Sequence, residues 1–434
     1  MKRRVCIVGA GLAGLAAAIR LLDAGFAVTL VERHRIAGGR ARRIRAGGEW
    51  LDYGQHLLMG CYHRTFEFAR RLGSLSEFER IEERPAFAAG AGRMQRFGGA
   101  KAPEVLHALA TWWGLSHLSV SERIRLLAVV AGVKAALVLR PGRLDALTAM
   151  EFLSLLAQTP ETVRKFLGPL CSATINLPPA EASALLFATV LDRAFLGSAK
   201  DATPILPRTT LHDALVEPAL RVLSGSSADV FFGERVVRVA ERGEVHTDRA
   251  RQIQADAVVV AVAPWDLVPF AGESGFRDLA ARAERLGESP IVSAAFWYER
   301  PILPAPIVGV LDGPIQWLFQ RASRGVGPAR VCAVVSHADE WRGVSNAILT
   351  ERFRDEIRRL FPDSREVREL GSSVLKVHPA TFRAAAGQAA IRPGPRTARR
   401  DVFLAGDWTA TGLPATIEGA VQSGFEAARR VMES

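Results

Sequence analysis

Gly9-Ala10-Gly11-Leu12-Ala13-Gly14 places three glycines in the spacing G-x-G-x-x-G, between a short apolar run, Val5 to Val8, and a helix-forming stretch, Leu15 to Ala24. A second β-leaning run, Ala27 to Val31, ends at Glu32. Strand, glycine-rich turn, helix, strand and acid in this order suit the ADP half of a dinucleotide. Gly9 lets the chain turn sharply off the strand. Gly11 keeps a side chain out of the pyrophosphate's place, and Gly14 lets helix and strand pack closely. The helix N-terminus offers free N–H groups and a positive dipole end to phosphate oxygens. Glu32, roughly twenty residues past the turn, can accept ribose hydroxyls and would repel the extra phosphate of NADP. At the far end, Val402 to Asp407 reads as a strand ending at an acid, and Thr416 to Gly424 opens a last helix running to Met432.

The run Glu32-Arg33-His34-Arg35-Ile36-Ala37-Gly38-Gly39-Arg40-Ala41 resembles the ER-x-x-x-x-GGR-A/S segment of flavin amine oxidases and carotenoid desaturases. That resemblance implies FAD rather than NAD. It places Arg33 in the cofactor site and brings Gly39 and Arg40 to the diphosphate, where a guanidinium offers planar, permanently charged donors. The C-terminal segment resembles the second flavin signature of the same superfamily. Gly406 and Asp407 would then meet the ribityl chain, with Asp407 accepting its hydroxyls. Pro414, Ala415, Thr416, Ile417 and Ala420 would bring a helix N-terminus to the flavin's pyrimidine edge, where it stabilises negative charge on the reduced ring. Glu418 has a plainer account, since acids favour first helical turns. In the middle, Asp229 to Val239 and Ala255 to Val262 are β-rich. The resemblance pairs the Val236 backbone with adenine. Ala257 to Ala263 returns the chain to the dinucleotide fold as a strand continuous enough in apolar residues to be covered on both faces.

Finer wording narrows the family. Leu51-Asp52-Tyr53-Gly54-Gln55-His56-Leu57-Leu58-Met59-Gly60 resembles a D-x-GQHL-x-x-G segment. Leu170 to Asn176 with Pro178-Pro179 and Ala182-Ser183-Ala184, Ala194 to Ser198, Leu206-Pro207-Arg208, Ala380-Thr381-Phe382, and Ala405 to Thr409 with Gly412 to Ala420 match the same family. Over essentially the whole chain these segments resemble hydroxysqualene dehydroxylases, the squalene-associated FAD-dependent desaturases of bacterial hopanoid synthesis. Tyr53 stands where an Asn is frequent, a change that bears on packing more than on chemistry. The resemblance adds Gly54, Gln55, His56 and Leu57 to the cofactor site.

The reaction so implied converts hydroxysqualene and reduced flavin to squalene and water. Loss of the allylic hydroxyl leaves a delocalised cation, quenched by hydride from flavin N5. The protein must hold a long apolar chain, protonate the departing oxygen and exclude water. His56 is the candidate proton donor, since an imidazole titrates near neutrality; equally, it could hold flavin oxygens together with Gln55. Lys376 and His378 are weaker alternatives, Lys376 because related oxidases carry a lysine near N5. Trp112, Trp113, Trp297, Tyr298, Trp317 and Phe319 are candidate aromatic faces for the cation. Fold alone does not fix chemistry. A carotenoid or phytoene-type desaturase, an amine oxidase and a non-catalytic flavin-bound isoprenoid carrier remain alternatives.

The elements that must position these groups imply an α/β architecture: a Rossmann-type FAD-binding domain with an inserted mixed α+β substrate domain, like amine oxidases and phytoene desaturases. At 434 residues two domains are expected. The flavin domain comprises 1–80, 208–275 and 385–434, and the substrate domain 81–207 and 276–384. The first insertion reads helical (Leu106 to Trp113, Ser121 to Leu139, Ala149 to Ala157, Glu161 to Leu167, Ala182 to Ala194), with Ser121 and Thr148 as helix starts. The second mixes strands (Ile291 to Tyr298, Ile315 to Gln320, Arg330 to Ser336) with a helix, Asn346 to Phe361. Gly90 to Gly99 and Arg392 to Arg400 read as surface loops.

Four cysteines lack CxxC spacing and nine histidines lack paired ligand spacing, which predicts no metal and no disulfide frame and fits a reducing cytosol. Met1-Lys2-Arg3-Arg4 leads straight into the first strand, leaving no room for a signal peptide. Ile124 to Leu139 carries Arg125 and Lys134, which disfavours a membrane span. The net charge of +11 suits attraction to phosphate-rich surfaces. No nucleic-acid module is recognised, so the expected surface is anionic lipid at the inner face of the cell membrane. There Leu106 to Leu139 would lie as an interfacial patch; equally, these helices would bury their apolar faces within the second domain. No second nucleotide fingerprint appears, so electrons would come from NADPH visiting transiently or from a redox protein.

Overall fold

A computed structural model describes residues 2–83, 85–88, 90, 92, 94–96, 113–115, 118–311, 313–322 and 328–434. The apolar runs read from the sequence form a five-stranded parallel sheet in the order Asp229–Phe232, Ala27–Glu32, Arg4–Val8, Ala257–Val260, Val402–Leu404. Its central strands are buried on both faces, as uninterrupted Val and Ile residues require. The Leu12–Asp23 helix and the closing Ile417–Met432 helix cover it side by side. Gly424 allows their contact, because a Cβ there would lie 2.2 Å from the Ala13 carbonyl oxygen. The chain leaves Arg4–Val8 toward one edge and later returns on its other side through Ala257–Val260. The strand order therefore reverses beside Arg4–Val8, and a crevice opens at the carboxyl ends of these two strands.

A seven-stranded sheet runs in the order Glu369–Phe382, Glu288–Tyr298, Ala329–Val335, Trp317–Ala322, Ile307–Val310, Ala86–Ala88, Met94–Arg96. All neighbours are antiparallel except Ile307–Val310 with Ala86–Ala88. The alternation of its strands divides the faces. Phe296, Leu318 and Val331 join Leu349, Phe353 and Ile357 of the Asn346–Leu360 helix in one core. Ile291, Trp317, Phe319 and Val334 point the other way, into a large cavity. The Val120–Leu139, Ala149–Leu155, Gly168–Ile175 and Ala184–Val190 helices form a separate layer. Among the described residues no helix is long and apolar enough to cross a membrane.

Several expectations need correction. Ser119, not Ser121, caps the Val120–Leu139 helix, in a reciprocal capping box with Glu122. Thr148 does cap its helix, with Glu151. Met94–Arg96 is a strand rather than loop, and Arg392 is buried rather than on a surface loop. Asp229 to Val239 is broken at Gly233, whose φ of +65° ends the first strand and frees Val236–Val239 to join a small antiparallel sheet. Trp112 and nearly all of the Leu106 to Trp113 stretch lie outside the described residues.

Candidate functional site

The glycine turn is built as its spacing requires. Gly9 adopts a φ of +103°, and its N–H donates to the Val31 carbonyl at 2.8 Å. A Cβ on Gly14 would sit 1.9 Å from the Gly9 carbonyl oxygen, whereas one on Gly11 would meet no heavy atom within 4 Å. The space before Gly11 is thus open, and the Leu12–Asp23 helix has no side-chain cap there. Its first N–H groups are free for an anion. Glu32 is buried; its carboxylate accepts from the Ala10 N–H at 2.7 Å and the His34 N–H at 2.9 Å. Those bonds fix it beside the turn with lone pairs to spare. The Gly38 N–H donates to the Ala10 carbonyl at 2.8 Å, tying the Gly38-Gly39-Arg40 loop to the turn. Arg40 then reaches across to Asp407 (Nη2 to Oδ1, 2.5 Å) and the Ala380 carbonyl (3.1 Å), joining the two ends of the chain.

The C-terminal loop is held by a residue not singled out from sequence. Arg392 donates to the carbonyls of Trp408 (3.2 Å), Leu413 (2.7 Å), Asp407 (2.8 Å) and Thr409 (2.5 Å), and to the Thr411 hydroxyl (2.9 Å). Burial pulls its pKa down to about 10, which still leaves it charged at neutral pH. No spacing distinguishes it within an arginine-rich stretch. The Trp408 indole N–H donates to the Val262 carbonyl at 2.9 Å, locking this loop to the end of the Ala257–Val260 strand. Thr416 caps the last helix by accepting from the Gly419 N–H at 3.0 Å, so Ile417 and Ala420 open onto the cavity. Glu418 has a structural duty: it accepts from the Arg64 and Thr65 N–H groups and the Thr65 hydroxyl, capping the His63–Arg71 helix.

One cavity of about 1200 Å³ runs from this crevice between the helical layer and the seven-stranded sheet. Ordinary ligand pockets span about 300–1,000 Å³, so this one is larger than a single small-molecule site needs. It is lined by Gly9, Gly11, Leu12, Ala13, Glu32, Arg33, Gly39, Arg40, Gly54, Gln55, His56, Leu57, Val236, Ala263, Gly406, Asp407, Pro414, Ala415, Thr416, Ile417 and Ala420. Ala10 and Gly14 stand behind the wall, Ala10 holding Glu32 and Gly14 packed on Gly9. These residues fit a flavin dinucleotide: an open N–H cradle at Gly11, an acid fixed beside it, and a second helix N-terminus opposite. Phe166, Leu170, Val190, Ala194 and Phe195 from the helices face Ile307, Trp317 and Phe319 of the sheet, making the remainder an apolar arm.

His56 lies on this wall. Asp52 is anchored by the Leu211 N–H (2.7 Å), and its second oxygen lies 3.8 Å from His56 Nδ1, which is buried with no hydrogen-bond partner. Nε2 is the nitrogen left to face the cavity. His378 also lines the wall, but its nitrogens are engaged by Glu288 (3.1 Å) and Arg342 (2.6 Å). Lys376 does not line it. On an alternating strand it falls opposite Val377, which does, and its ammonium donates to the Val344 carbonyl. Of the candidate aromatics, Trp317 and Phe319 reach the cavity. Trp297 donates to Glu49, Tyr298 is buried behind the sheet, and Trp113 is exposed.

A model of the flavin containing amine oxidoreductase family matches residues 12–432. The hydroxysqualene dehydroxylase of Rhodopseudomonas palustris is 31% identical, covering 100% of this chain and 99% of its own length. That of Sinorhizobium fredii is 30% identical over 99% and 98%. The 15-cis-phytoene desaturase of Narcissus pseudonarcissus is more distant, at 24% identity over 99% and 79%. Among solved structures, a putrescine oxidase superposes with a TM-score of 0.76 at 16% identity, covering 100% of both chains, a likeness of fold alone.

Proposed function

Because the chain belongs to the flavin containing amine oxidoreductase family and is an FAD-dependent oxidoreductase, we propose that it removes the allylic hydroxyl of hydroxysqualene reductively to give squalene for hopanoid synthesis. The single observation behind this reading is the continuity of the dinucleotide crevice with an apolar arm in one cavity, in a chain similar end to end to hydroxysqualene dehydroxylases.

Bound in reduced form, FAD supplies a hydride from N5. The chain's own residues do the rest. Gly11, Glu32, Arg40 and Asp407 hold the cofactor. The apolar arm aligns a long isoprenoid and keeps out water that would recapture a cation. Trp317 and Phe319 offer aromatic faces to the delocalised charge. His56 protonates the departing hydroxyl: the C–O bond breaks, the oxygen leaves as water, and the carbon takes the hydride. Elimination among the cavity histidines supports this choice. The His34 pKa is pushed down by burial and by the Arg33 charge, and both nitrogens of His378 are engaged. Electrons reach the flavin from outside the chain, from NADPH or a redox protein. The enzyme works in the cytoplasm, peripheral to the inner face of the membrane that dissolves its substrate.

Anaerobic mixing of reduced holoenzyme with hydroxysqualene tests the reading, with squalene and oxidised flavin as the expected products. Conversion of phytoene by the oxidised enzyme, with hydroxysqualene untouched, would establish the desaturase instead. In the same single-turnover assay, His56→Gln should keep its flavin and lose about 10²–10⁴-fold in rate. An unchanged rate would remove His56 from the chemistry.

A further inference from the structure

Resting on the isoprenoid reading above, we propose that the outer face of the Val120–Leu139 helix is a docking surface for an anionic lipid bilayer. A helix on a soluble domain turns its apolar stripe inward and shows water a polar face. This helix has apolar residues on both faces. Leu126, Val129 and Val133 are fully buried, yet Val120, Ile124 and Leu127 are 58%, 53% and 42% exposed, and Val138 and Leu139 are 79% and 74% exposed. Between Leu127 and Val138 the exposed positions are Ala128, Ala131, Lys134 and Ala135. Eight of the seventeen large apolar side chains that stand exposed among the described residues fall between positions 113 and 155, a tenth of the chain.

Charge selects the partner. Arg123, Arg125, Lys134, Arg140 and Arg143 lie along this helix and the turn after it; Lys134 pairs with Asp192, and the acids of the same stretch are turned inward, Glu122 onto the Ser119 cap and buried Asp145 onto the Ala389 and Ala390 N–H groups. Arg140 and Arg143 stand exposed beside the two most exposed apolar residues. An apolar face rimmed by cations lies in the plane of an anionic membrane interface. A second copy of the chain would bring the same cations against themselves. Position agrees with this role. The buried side of the helix packs on the 184–195 segment, whose Val190, Ala194 and Phe195 line the apolar arm. The surface is therefore one helix layer from the cavity that takes the lipid-soluble substrate.

Flotation of the flavin-loaded protein with phosphatidylcholine vesicles, with and without phosphatidylglycerol, tests the surface. The protein should float with the anionic vesicles, and less so as salt rises. The double substitution Val138→Glu/Leu139→Glu should lower partitioning by about tenfold or more. Arg140→Gln/Arg143→Gln should lower it similarly, since each cation near an anionic surface is worth roughly fivefold. These exposed positions should leave flavin absorbance and the melting temperature unchanged. Wild-type protein that stays unbound, or variants that float as it does, would overturn the assignment. So would light scattering that reveals a dimer abolished by Val138→Glu/Leu139→Glu. Turnover of detergent-dispersed hydroxysqualene reads the chemistry separately: turnover without flotation overturns the surface alone, and flotation without turnover overturns the substrate reading.

Discussion

Gly11 and Gly14 are three residues apart in one motif, yet a side chain should act oppositely at each. At Gly11 a Cβ meets no heavy atom within 4 Å and the backbone φ is −72°, open to any residue. Gly11→Val should leave the flavin-free fold within about 0.5 kcal/mol of wild type in urea unfolding. It would fill the space before the Leu12–Asp23 helix, where the proposed diphosphate site has its N–H donors. Two charge-assisted hydrogen bonds lost at about 1.5–3 kcal/mol each come to about 3–6 kcal/mol, or roughly 10²–10⁴-fold in FAD affinity. At Gly14 a Cβ lies 1.9 Å from the Gly9 carbonyl oxygen and 3.1 Å from its carbon, both rigid backbone. Gly14→Ala must push helix from strand, at about 3 kcal/mol or more. Titrating FAD into flavin-stripped protein, with urea curves beside it, separates the two effects. Wild-type affinity in Gly11→Val would mean that the diphosphate binds elsewhere, and the assignment of this turn would fall.

Arg392→Leu should cost about 3–5 kcal/mol in urea unfolding and weaken FAD binding, because the carbonyls of Asp407, Trp408, Thr409 and Leu413 lose their common donor; an unchanged midpoint would mean the loop holds itself. Glu418→Ala should cost about 1–2 kcal/mol, with hydrogen exchange quickening at the start of the His63–Arg71 helix, whose cap it removes. His212 and His337 carry pKa values held below 6.5, by burial first and then, at His212, by Arg43. The unfolded chain therefore protonates first as pH falls through 6.5, so stability declines from there down to the lower folded values. Replacing both by Asn should flatten that slope in denaturation midpoints measured between pH 7.5 and 5.5.

The dinucleotide end of the cavity was legible because backbone requirements write it. Gly9 needs its positive φ, Gly14 its missing Cβ, Glu32 its place one strand on, and each is a residue type at a spacing. Long periodic elements were legible for a similar reason: Val120–Leu139 and Asn346–Leu360 start or end within one residue of their expected bounds. Ile307–Val310 and the long Glu369–Phe382 strand were not foreseen. The first is short, and the second carries Gly371, Lys376, His378 and Pro379 without clean alternation, so its neighbour Glu288–Tyr298 rather than its own pattern settles it. Lys376 shows the same limit at one residue. The strand was not recognised, so the parity that turns Val377 to the cavity and Lys376 away could not be read.

The apolar arm leaves a weaker mark in sequence because many combinations of Leu, Phe and Val would line it equally well. What must distinguish a dehydroxylase from a desaturase there is a polar group, since only the dehydroxylase has an oxygen to protonate. A buried donor or acceptor without a partner costs about 1–3 kcal/mol. Two such atoms belong to cavity-lining residues among those described: His56 Nδ1 and Trp317 Nε1. The indole can donate but cannot give up its proton at neutral pH, whereas the imidazole can. Asp52, fixed by the Leu211 N–H and 3.8 Å from Nδ1, stands where it can orient the ring with Nε2 toward the cavity. An unpaired nitrogen beside an anchored carboxylate, on the cavity wall, is what singles out His56 as the proposed proton donor to the departing oxygen.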